Sequence, residues 1–160
     1  MFMRFFISVI FILVSFFSCK PDKVKDINVS NIDVDFFIKR FEVDFYNANQ
    51  EKLSSLKKQY PYLFPPSFTD SLAIAKISNE DERELFNETQ KIYKDVSKLK
   101  SELLSLFKYV KYYNPKFNTP NVVTMISNID YKSRVIYADS LLLLSLDVYL
   151  GKEHPFYADY

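Results

Sequence analysis

Apolar residues recur at helical spacing through the middle of the chain. One stripe consists of Leu53, Leu56 and Tyr60. Its period predicts a short amphipathic helix that begins after Asn49, a residue type that accepts hydrogen bonds from the first backbone N–H groups of a helix. Residues 60–66 end this helix, because their prolines supply no N–H and restrict the residues before them. Thr69 is expected to cap a second short helix that continues through Ile77.

Two longer amphipathic helices are predicted next. Asn79 is followed three residues later by Glu82, which is close to a capping box and predicts the start of the third helix. The fourth helix begins near Ser97 and stops before Pro115. Each of these helices carries an apolar stripe that we expect to face a protein core. The stripes are Leu85, Phe86, Thr89, Ile92, Tyr93 and Val96 in the third helix, and Leu99, Leu103, Leu106, Phe107 and Val110 in the fourth.

Strand-like patterns lie on both sides of the helical region. Residues 32–41 alternate between apolar and polar for part of their length and predict a first strand. Residues 41–47 either extend that strand or begin a helix. Residues 121–126 and 134–138 are rich in β-branched and apolar side chains, and each run is followed by turn-forming residues. They predict two further short strands.

The last apolar run completes the predicted fold. Residues 141–150 suit a buried strand or a helix, and we predict a strand that ends at Gly151, the only glycine. The patterns together predict an α+β fold, with a central run of about four helices and a small sheet from the first strand and the C-terminal third. The final residues stay aromatic instead of becoming polar, so we expect the domain to be incomplete at its C-terminus.

The beginning of the chain has the organisation of an export signal. Residues 1–4 carry a positive charge, and residues 5–17 are almost entirely apolar. That run has the length of a signal-peptide core and is shorter than the roughly 20 residues that span a bilayer. Ser18 directly precedes Cys19. This boundary resembles the lipobox of bacterial lipoproteins, in which a peptidase cuts before an acylated cysteine.

Cys19 is therefore the predicted lipidation site, attached to membrane lipid through acyl chains such as palmitate. Phe16 and Phe17 depart from the usual lipobox, where an aliphatic residue and a small residue are expected. An ordinary secretory signal, or an uncleaved anchor in which Cys19 has no role, are the alternatives. The predicted organisation is a signal peptide at residues 1–18, a polar tether at residues 19–31 and an α+β domain at residues 32–160.

The overall charge gives no indication of a nucleic-acid partner. Removal of the predicted signal takes Arg4 away and leaves basic and acidic residues in equal number. No strong field then attracts nucleic acid or an acidic membrane. Lys108, Lys111 and Lys116 lie among tyrosines, a mixture that can bind single-stranded nucleic acid. Their helical spacing favours a solvated helix face instead.

Few residues offer reactive chemistry. One glycine excludes glycine-rich phosphate loops, and one histidine with one cysteine is too few for a zinc site, so we predict no cofactor. Asp130 and Asp139 are predicted turn residues. Asp147 lies within an apolar run, where a buried carboxylate needs partners, and is a candidate functional or buried polar residue. His154 is expected to be a loop residue bonded to backbone, with a catalytic or metal role as the alternative.

Four short stretches together carry a family resemblance. Residues 60–65 read Tyr-Pro-Tyr-Leu-Phe-Pro, and residues 107–113 read Phe-Lys-Tyr-Val-Lys-Tyr-Tyr. Residues 135–140 read Val-Ile-Tyr-Ala-Asp-Ser. The most specific stretch is residues 146–157, where Leu-Asp-Val-Tyr-Leu-Gly is followed by His-Pro-Phe-Tyr. In combination they resemble the family of the gliding motility lipoprotein GldB.

The resemblance runs from Cys19 to the last residue and implies an envelope lipoprotein required for gliding over surfaces, with the outer membrane favoured. It implies contacts with other gliding-machinery or secretion-system proteins. No small-molecule substrate is evident from the sequence. Two features depart from the family pattern. Ser145 stands where a glycine is expected, and family chains continue beyond residue 160.

Two other functions stay open at the level of sequence. The family is also distantly similar to zinc-peptidase-like domains whose metal motif would lie outside this chain. An envelope metallopeptidase-like enzyme, or a degenerate relative of one, is therefore the first alternative. A substrate- or peptide-binding lipoprotein unrelated to movement is the second. Because no catalytic motif is evident, we expect a protein that is not an enzyme.

Overall fold

The computed structural model describes residues 27–158. Met1–Asn31 and Ile32–Tyr160 are separate compact units. In the first, of which residues 27–31 are described, the Asn28 side chain accepts a hydrogen bond from the Ser30 N–H at 2.9 Å. The helices of the second are α1 Phe41–Tyr46, α2 Gln50–Gln59, α3 Asp70–Ser78, α4 Glu80–Tyr93 and α5 Ser97–Tyr113. The strands are β1 Ile38–Arg40, β2 Asn121–Met125, β3 Val135–Ala138 and β4 Leu141–Ser145, and short 3₁₀ turns lie at Pro61–Leu63, Tyr131–Ser133, Leu146–Val148 and Pro155–Tyr157.

The four strands form one sheet in the order β1–β2–β4–β3. β2 is parallel to both of its neighbours, and β3 is an antiparallel edge strand that forms a hairpin with β4. Val122 on β2 pairs with Ile38 on one side and with Leu142 on the other. All five helices lie between β1 and β2 in the sequence. The predicted α+β fold is confirmed, with a central run of helices and a sheet built from the first strand and the C-terminal third.

Side-chain caps define where three of the helices begin, as the sequence predicts. The Asn49 carboxamide oxygen accepts from the Lys52 N–H at the start of α2, at 3.1 Å. The Thr69 hydroxyl does the same for Leu72 at the start of α3. Each cap satisfies a backbone donor that has no partner within its own helix. The three predicted helix starts at Asn49, Thr69 and Asn79 are confirmed.

Two groups of buried side chains form the core of the unit that starts at Ile32. In the smaller group, Phe36 packs edge-on against Phe107, with ring centroids 5.0 Å apart, and Phe107 also contacts Phe117. In the larger group, aromatic rings from α1 and from the loop after α2 pack together. Its buried members are Phe45, Tyr46, Leu53, Leu56, Tyr60, Ala73, Phe86 and Val123.

Two strand predictions are longer than the strands observed. β1 covers only Ile38–Arg40, because three residues of β2 pair with it, and the open alternative for residues 41–47 resolves as helix α1. The prediction that residues 141–150 form one strand is wrong after Ser145. The chain turns into a 3₁₀ segment there, and Leu146, Asp147 and Val148 are all buried. A strand would place alternate side chains on opposite faces, whereas the turn buries three in succession.

Two residues of the predicted helix stripes do not face the core. Ile92 on α4 is 46% exposed and Leu106 on α5 is 52% exposed. Both lie at the margin of their stripes, where helical periodicity alone does not show which side a neighbour covers. In contrast, Leu103 and Phe107 on α5 are buried as predicted.

Candidate functional site

The carboxyl ends of β1, β2 and β4 meet at one edge of the sheet, because these strands are parallel. Sheets of this kind bind ligands at that edge. Glu42 follows β1, the segment Ser127–Asn128 follows β2, and Asp147 follows β4. We call this region the carboxyl edge. Topology therefore brings together polar side chains that are up to about a hundred residues apart in the sequence.

Asp147 is fully buried at the carboxyl edge and accepts hydrogen bonds from the loop after β2. The Ser127 N–H donates to both carboxylate oxygens, at 3.0 and 3.1 Å, and the Ile129 N–H donates to Oδ2 at 2.6 Å. The Ser127 hydroxyl lies 3.4 Å from each oxygen. Burial raises the pKa of Asp147, while these hydrogen bonds act in the opposite direction. Asp147 has no exposed surface, so it orders the loop and does not contact a ligand.

The loop held by Asp147 has an uncommon backbone. Asn128 and Ile129 have φ values of 59° and 60°. Asparagine tolerates this left-handed region, but a β-branched residue rarely adopts it. Such conformations cost roughly 1–3 kcal/mol each and persist where the surroundings hold them. The backbone N–H groups on both sides of Asn128 bind Asp147, and the Asn128 side chain donates to Glu82 Oε1 at 3.2 Å.

Glu82, in the first turn of α4, is a second acidic centre at this edge. Its Oε2 accepts from the Tyr46 hydroxyl at 2.5 Å, and its Oε1 accepts from Lys76 and Asn128. Burial alone would raise the pKa of Glu82, but the hydrogen bonds from Lys76, Tyr46 and Asn128 outweigh it and lower that pKa. Burial, and then the hydrogen bond to Glu82, raise the pKa of Tyr46. At neutral pH Glu82 is therefore ionised and Tyr46 is protonated.

Glu42 is a third acidic centre and is fully buried in α1. Its carboxylate accepts from the Thr124 hydroxyl at 2.7 Å and from Arg40 Nε at 2.8 Å. Arg40 also donates to the Gln90 side chain at 3.0 Å and to the Lys94 carbonyl at 3.2 Å. These contacts connect β1, β2 and α4. Because both carboxylate oxygens have internal donors, Glu42 is a cross-link within the fold.

A cleft of about 440 Å³ opens between the start of α4 and the loop after β2. We call it the acidic cleft; its lining includes Asp81, Glu82, Glu84, Asn128, Ile129 and Phe156. The carboxylates make the cleft attractive to cationic groups, and the apolar side chains form part of its wall. An ionised Glu82 has no proton to donate near neutral pH. The ionised Glu82 carboxylate therefore contributes negative charge to the cleft, where it is already shared between Tyr46, Lys76 and Asn128.

His154 begins a 3₁₀ turn near the end of the described chain. Its Nδ1 accepts from the Phe156 N–H at 3.3 Å, and its Nε2 lies 3.5 Å from Glu88 Oε2. In the neutral ring the proton is therefore on Nε2, facing the Glu88 carboxylate. Tyr157 in the same turn donates from its hydroxyl to the Asp147 carbonyl oxygen at 2.6 Å. The side chains of Asp147 and His154 thus lie in neighbouring segments but bind different partners.

Cys19, the predicted lipidation site, lies outside the described residues, as do the predicted signal peptide and most of the predicted tether. Between residues 27 and 158, no helix combines the length and the apolar character needed to cross a membrane. Over the same range, no three or more His, Cys, Asp or Glu side chains are grouped so that they could hold a metal ion.

The family model of the gliding motility protein GldB matches residues 22–160. The chain belongs to the GldB family. The match includes every helix and strand of the fold as well as the carboxyl edge, and it confirms the family resemblance seen in the sequence. A role in gliding motility follows from this membership. No curated protein and no solved structure matches the chain.

The sequence alone does not identify two acidic centres of this GldB-family chain, Glu82 and Glu42. Glu82 fits a capping box, and the Asn79 side chain does accept from its N–H at 2.9 Å. The Glu82 carboxylate, however, turns away from the cap toward Tyr46. Glu42 gives a signal similar to that of Asp147, since it is a carboxylate among apolar residues next to a strand. The partners of both side chains are distant in the sequence, so only the folded chain reveals them.

Proposed function

We propose that this GldB-family chain is a lipid-anchored component of the gliding machinery in the cell envelope. Acylated Cys19 attaches it to a membrane, with the outer membrane favoured. The chain acts through contacts with other gliding-machinery or secretion-system proteins. The observation that carries this proposal is the match to the gliding motility family over residues 22–160.

The anchoring part rests on the order of features at the beginning of the sequence. A charged start and an apolar run lead to Ser18 and Cys19, and the family match begins three residues later, at residue 22. Burial of acyl chains contributes roughly 0.8 kcal/mol per methylene, so two or three chains hold a protein stably on a bilayer. A diacylated cysteine is thus a sufficient anchor.

The contact part is supported by the state of the acidic side chains. Asp147 and Glu42 are buried and bound to internal donors, and Glu82 is ionised and shared between Tyr46, Lys76 and Asn128. These three carboxylates thus hold segments of the fold together, which is a structural role.

Gliding of single cells on glass tests the role in motility. A strain that lacks this gene is filmed before and after the intact gene is restored. We expect movement to stop on deletion and to return on restoration. Deleted cells that glide at the normal speed would overturn the proposed role in movement.

Replacement of the cysteine tests the anchor. In Cys19→Ala the acyl acceptor is lost, so we expect the protein to leave the membrane fraction and gliding to be reduced. Ser18→Ala keeps a small residue before the cysteine and serves as the matched control, with normal attachment expected. Equal membrane attachment of Cys19→Ala and the control would show that Cys19 is not the anchor.

A further inference from the structure

The sheet has an unprotected edge at β3. β3 pairs with β4 on one side, and no other strand of the described residues lies on its other side. All four of its residues are exposed, among them Val135, Ile136 and Tyr137 at 45%, 38% and 55%. Proteins usually protect such an edge with a charge or a proline. β1, at the opposite edge, carries Lys39 and Arg40, whereas β3 reads Val-Ile-Tyr-Ala and has neither charge nor proline.

The outward-facing backbone groups of β3 belong to Val135 and Tyr137. The Ser145 N–H donates to the Arg134 carbonyl oxygen at 3.0 Å, so Arg134 and Ser145 form a hydrogen-bonded pair of the hairpin. Such pairs alternate along an antiparallel ladder, which directs the N–H and C=O groups of Val135 and Tyr137 away from β4. Two donors and two acceptors therefore line the outer edge, with the spacing that another strand can pair with.

This edge is complementary to itself. When two copies of β3 pair antiparallel about Ile136, Val135 of each copy lies opposite Tyr137 of the other, and their outward-facing groups form hydrogen-bonded pairs. Each of these contacts joins a β-branched and an aromatic side chain, which is a favourable cross-strand combination. The two Ile136 side chains then lie opposite one another on the other face of the sheet.

The charges at the two ends of β3 favour this antiparallel arrangement. Lys132 and Arg134 precede the strand and Asp139 follows it, and all three residues are exposed. An antiparallel second copy places the basic end of each strand beside Asp139 of the other, whereas a parallel copy would place like charges together. The edge therefore carries the charge pattern that complements its own copy.

We propose that β3 binds the β3 edge of a second copy of this chain, antiparallel, so that two four-stranded sheets continue into one. The contact is four residues long on each side, which is small beside the interfaces of permanent dimers. We therefore expect a dimer that exchanges with the monomer, and covalent capture is the suitable way to detect it. The pairing goes beyond the proposed role in motility and does not depend on the anchor at Cys19.

Disulfide capture in the purified protein tests the pairing. Ile136→Cys places a cysteine opposite its own copy, at a position where the Cβ atoms are about 4.5–5.5 Å apart, close to the separation in a disulfide. Tyr137→Cys, on the same exposed strand, is the matched control. It lies opposite Val135, so the Cα atoms of its two copies are more than about 7 Å apart, too far for a disulfide. The wild type is oxidised in parallel and gives the baseline from Cys19.

We expect Ile136→Cys to give at least about fivefold more covalent dimer than Tyr137→Cys, because only the first pair of cysteines has disulfide geometry. Equal yields at the two positions would indicate random collision and would overturn the pairing. A yield at residue 136 no higher than the wild-type baseline would overturn it as well.

A charge exchange tests the antiparallel direction. Lys132→Glu with Arg134→Glu makes both ends of β3 acidic, and Asp139→Lys makes both ends basic. Either chain alone then brings like charges together at both ends, so its dimer, captured through Ile136→Cys, should fall about tenfold. A mixture of the two chains restores opposite charges, and the mixed dimer, identified by a size tag on one chain, should recover most of the original yield. A mixed dimer no more abundant than the two separate ones would overturn the antiparallel pairing, since the substitutions are the same in both cases.

Discussion

At the scale of single residues, Asp147 shows how a carboxylate is accommodated in the interior of the protein. Burial disfavours its charged form, and two backbone N–H groups and one hydroxyl of the loop after β2 compensate by donating to it. The same bonds hold Asn128 and Ile129 in left-handed backbone. Asp147 therefore determines the shape of one wall of the acidic cleft, although its own side chain does not reach the surface.

Asp147→Asn is expected to destabilise the fold by about 2 kcal/mol or more, because an amide NH₂ would face backbone N–H donors that then lose their acceptor. Urea unfolding measures the loss. Asp139→Asn is the matched control at an exposed turn residue with φ of 51°, which asparagine adopts readily. We expect the control to stay within about 0.5 kcal/mol of wild type. Equal effects of the two substitutions would contradict the role given to Asp147.

Because the backbone at Ile129 is left-handed, we expect glycine to be a better replacement than alanine at this position. Ile129→Ala and Ile129→Gly both remove the side chain beyond Cβ, but only alanine keeps a Cβ at φ of 60°. We therefore expect the glycine variant to be more stable than the alanine variant by about 1 kcal/mol. Chemical denaturation of the two variants side by side gives the difference. An alanine variant that is the more stable one would show that this backbone strain is absent.

At the scale of elements, α5 shows how far helical periodicity predicts packing. The period alone places Leu106 and Phe107 on one predicted core stripe, yet Phe107 is buried between Phe36 and Phe117 while Leu106 is half exposed. Adjacent residues on a helix point about 100° apart, so the margin of a stripe depends on which elements pack beside it. That information lies in the segment before β1, which contains Phe36, and in the segment after α5, which contains Phe117, not in the helix.

Truncation of these two adjacent side chains tests whether the burial seen in the structure or the helical periodicity predicts the loss of stability. Phe107→Ala is expected to cost about 3–5 kcal/mol, because it opens a cavity between two aromatic rings. Leu106→Ala, on the same helix, is expected to stay within about 0.5 kcal/mol of wild type. Thermal unfolding of the two variants provides the comparison. A loss at Leu106 as large as that at Phe107 would instead support the predicted core stripe.

Local signals explain which elements are predictable from sequence. Asn49, Thr69 and Asn79 mark helix starts because each cap bonds to a backbone N–H three residues away. The length of β1 depends instead on its pairing with β2, more than eighty residues later. The strand predicted for residues 141–150 ends early for a similar reason, because Asp147 turns toward the loop after β2. Such distant partners leave no periodic pattern in the sequence.

At the scale of the whole molecule, the carboxyl edge combines groups that sequence reasoning treats one at a time. Asp147 is noticeable as a charge in an apolar run, and Glu82 as a capping residue. Their connection passes through Asn128, which is bound to Glu82 by its side chain and held in place by Asp147 through its neighbours. Asn128 and Asp147 lie close together because β2 and β4 are parallel neighbours, and this strand order is a property of the complete fold.

Glu82 and Asp147 make opposite contributions to the pH dependence of the free energy of unfolding. The folded-state pKa of Glu82 is lowered, so its contribution is present above the ordinary carboxyl pKa and is lost as pH falls through the folded value. The folded-state pKa of Asp147 is raised, so protonation of the folded protein partly offsets that loss in the same acidic range. One proton taken up on unfolding changes the free energy of unfolding by at most about 1.4 kcal/mol per pH unit.

Denaturation at a series of pH values from neutral down through the carboxyl range tests this balance. Glu82→Gln removes the group that loses stability in acid, so its free energy of unfolding should decline less steeply with falling pH than that of wild type. Tyr46→Phe removes one donor to Glu82 and should give an intermediate slope, since Lys76 and Asn128 remain bound to the carboxylate. Asp147→Asn removes the opposing group and should decline more steeply. If Glu82→Gln and Asp147→Asn changed the slope in the same direction, the two carboxylates would not have the opposite shifts that their surroundings dictate.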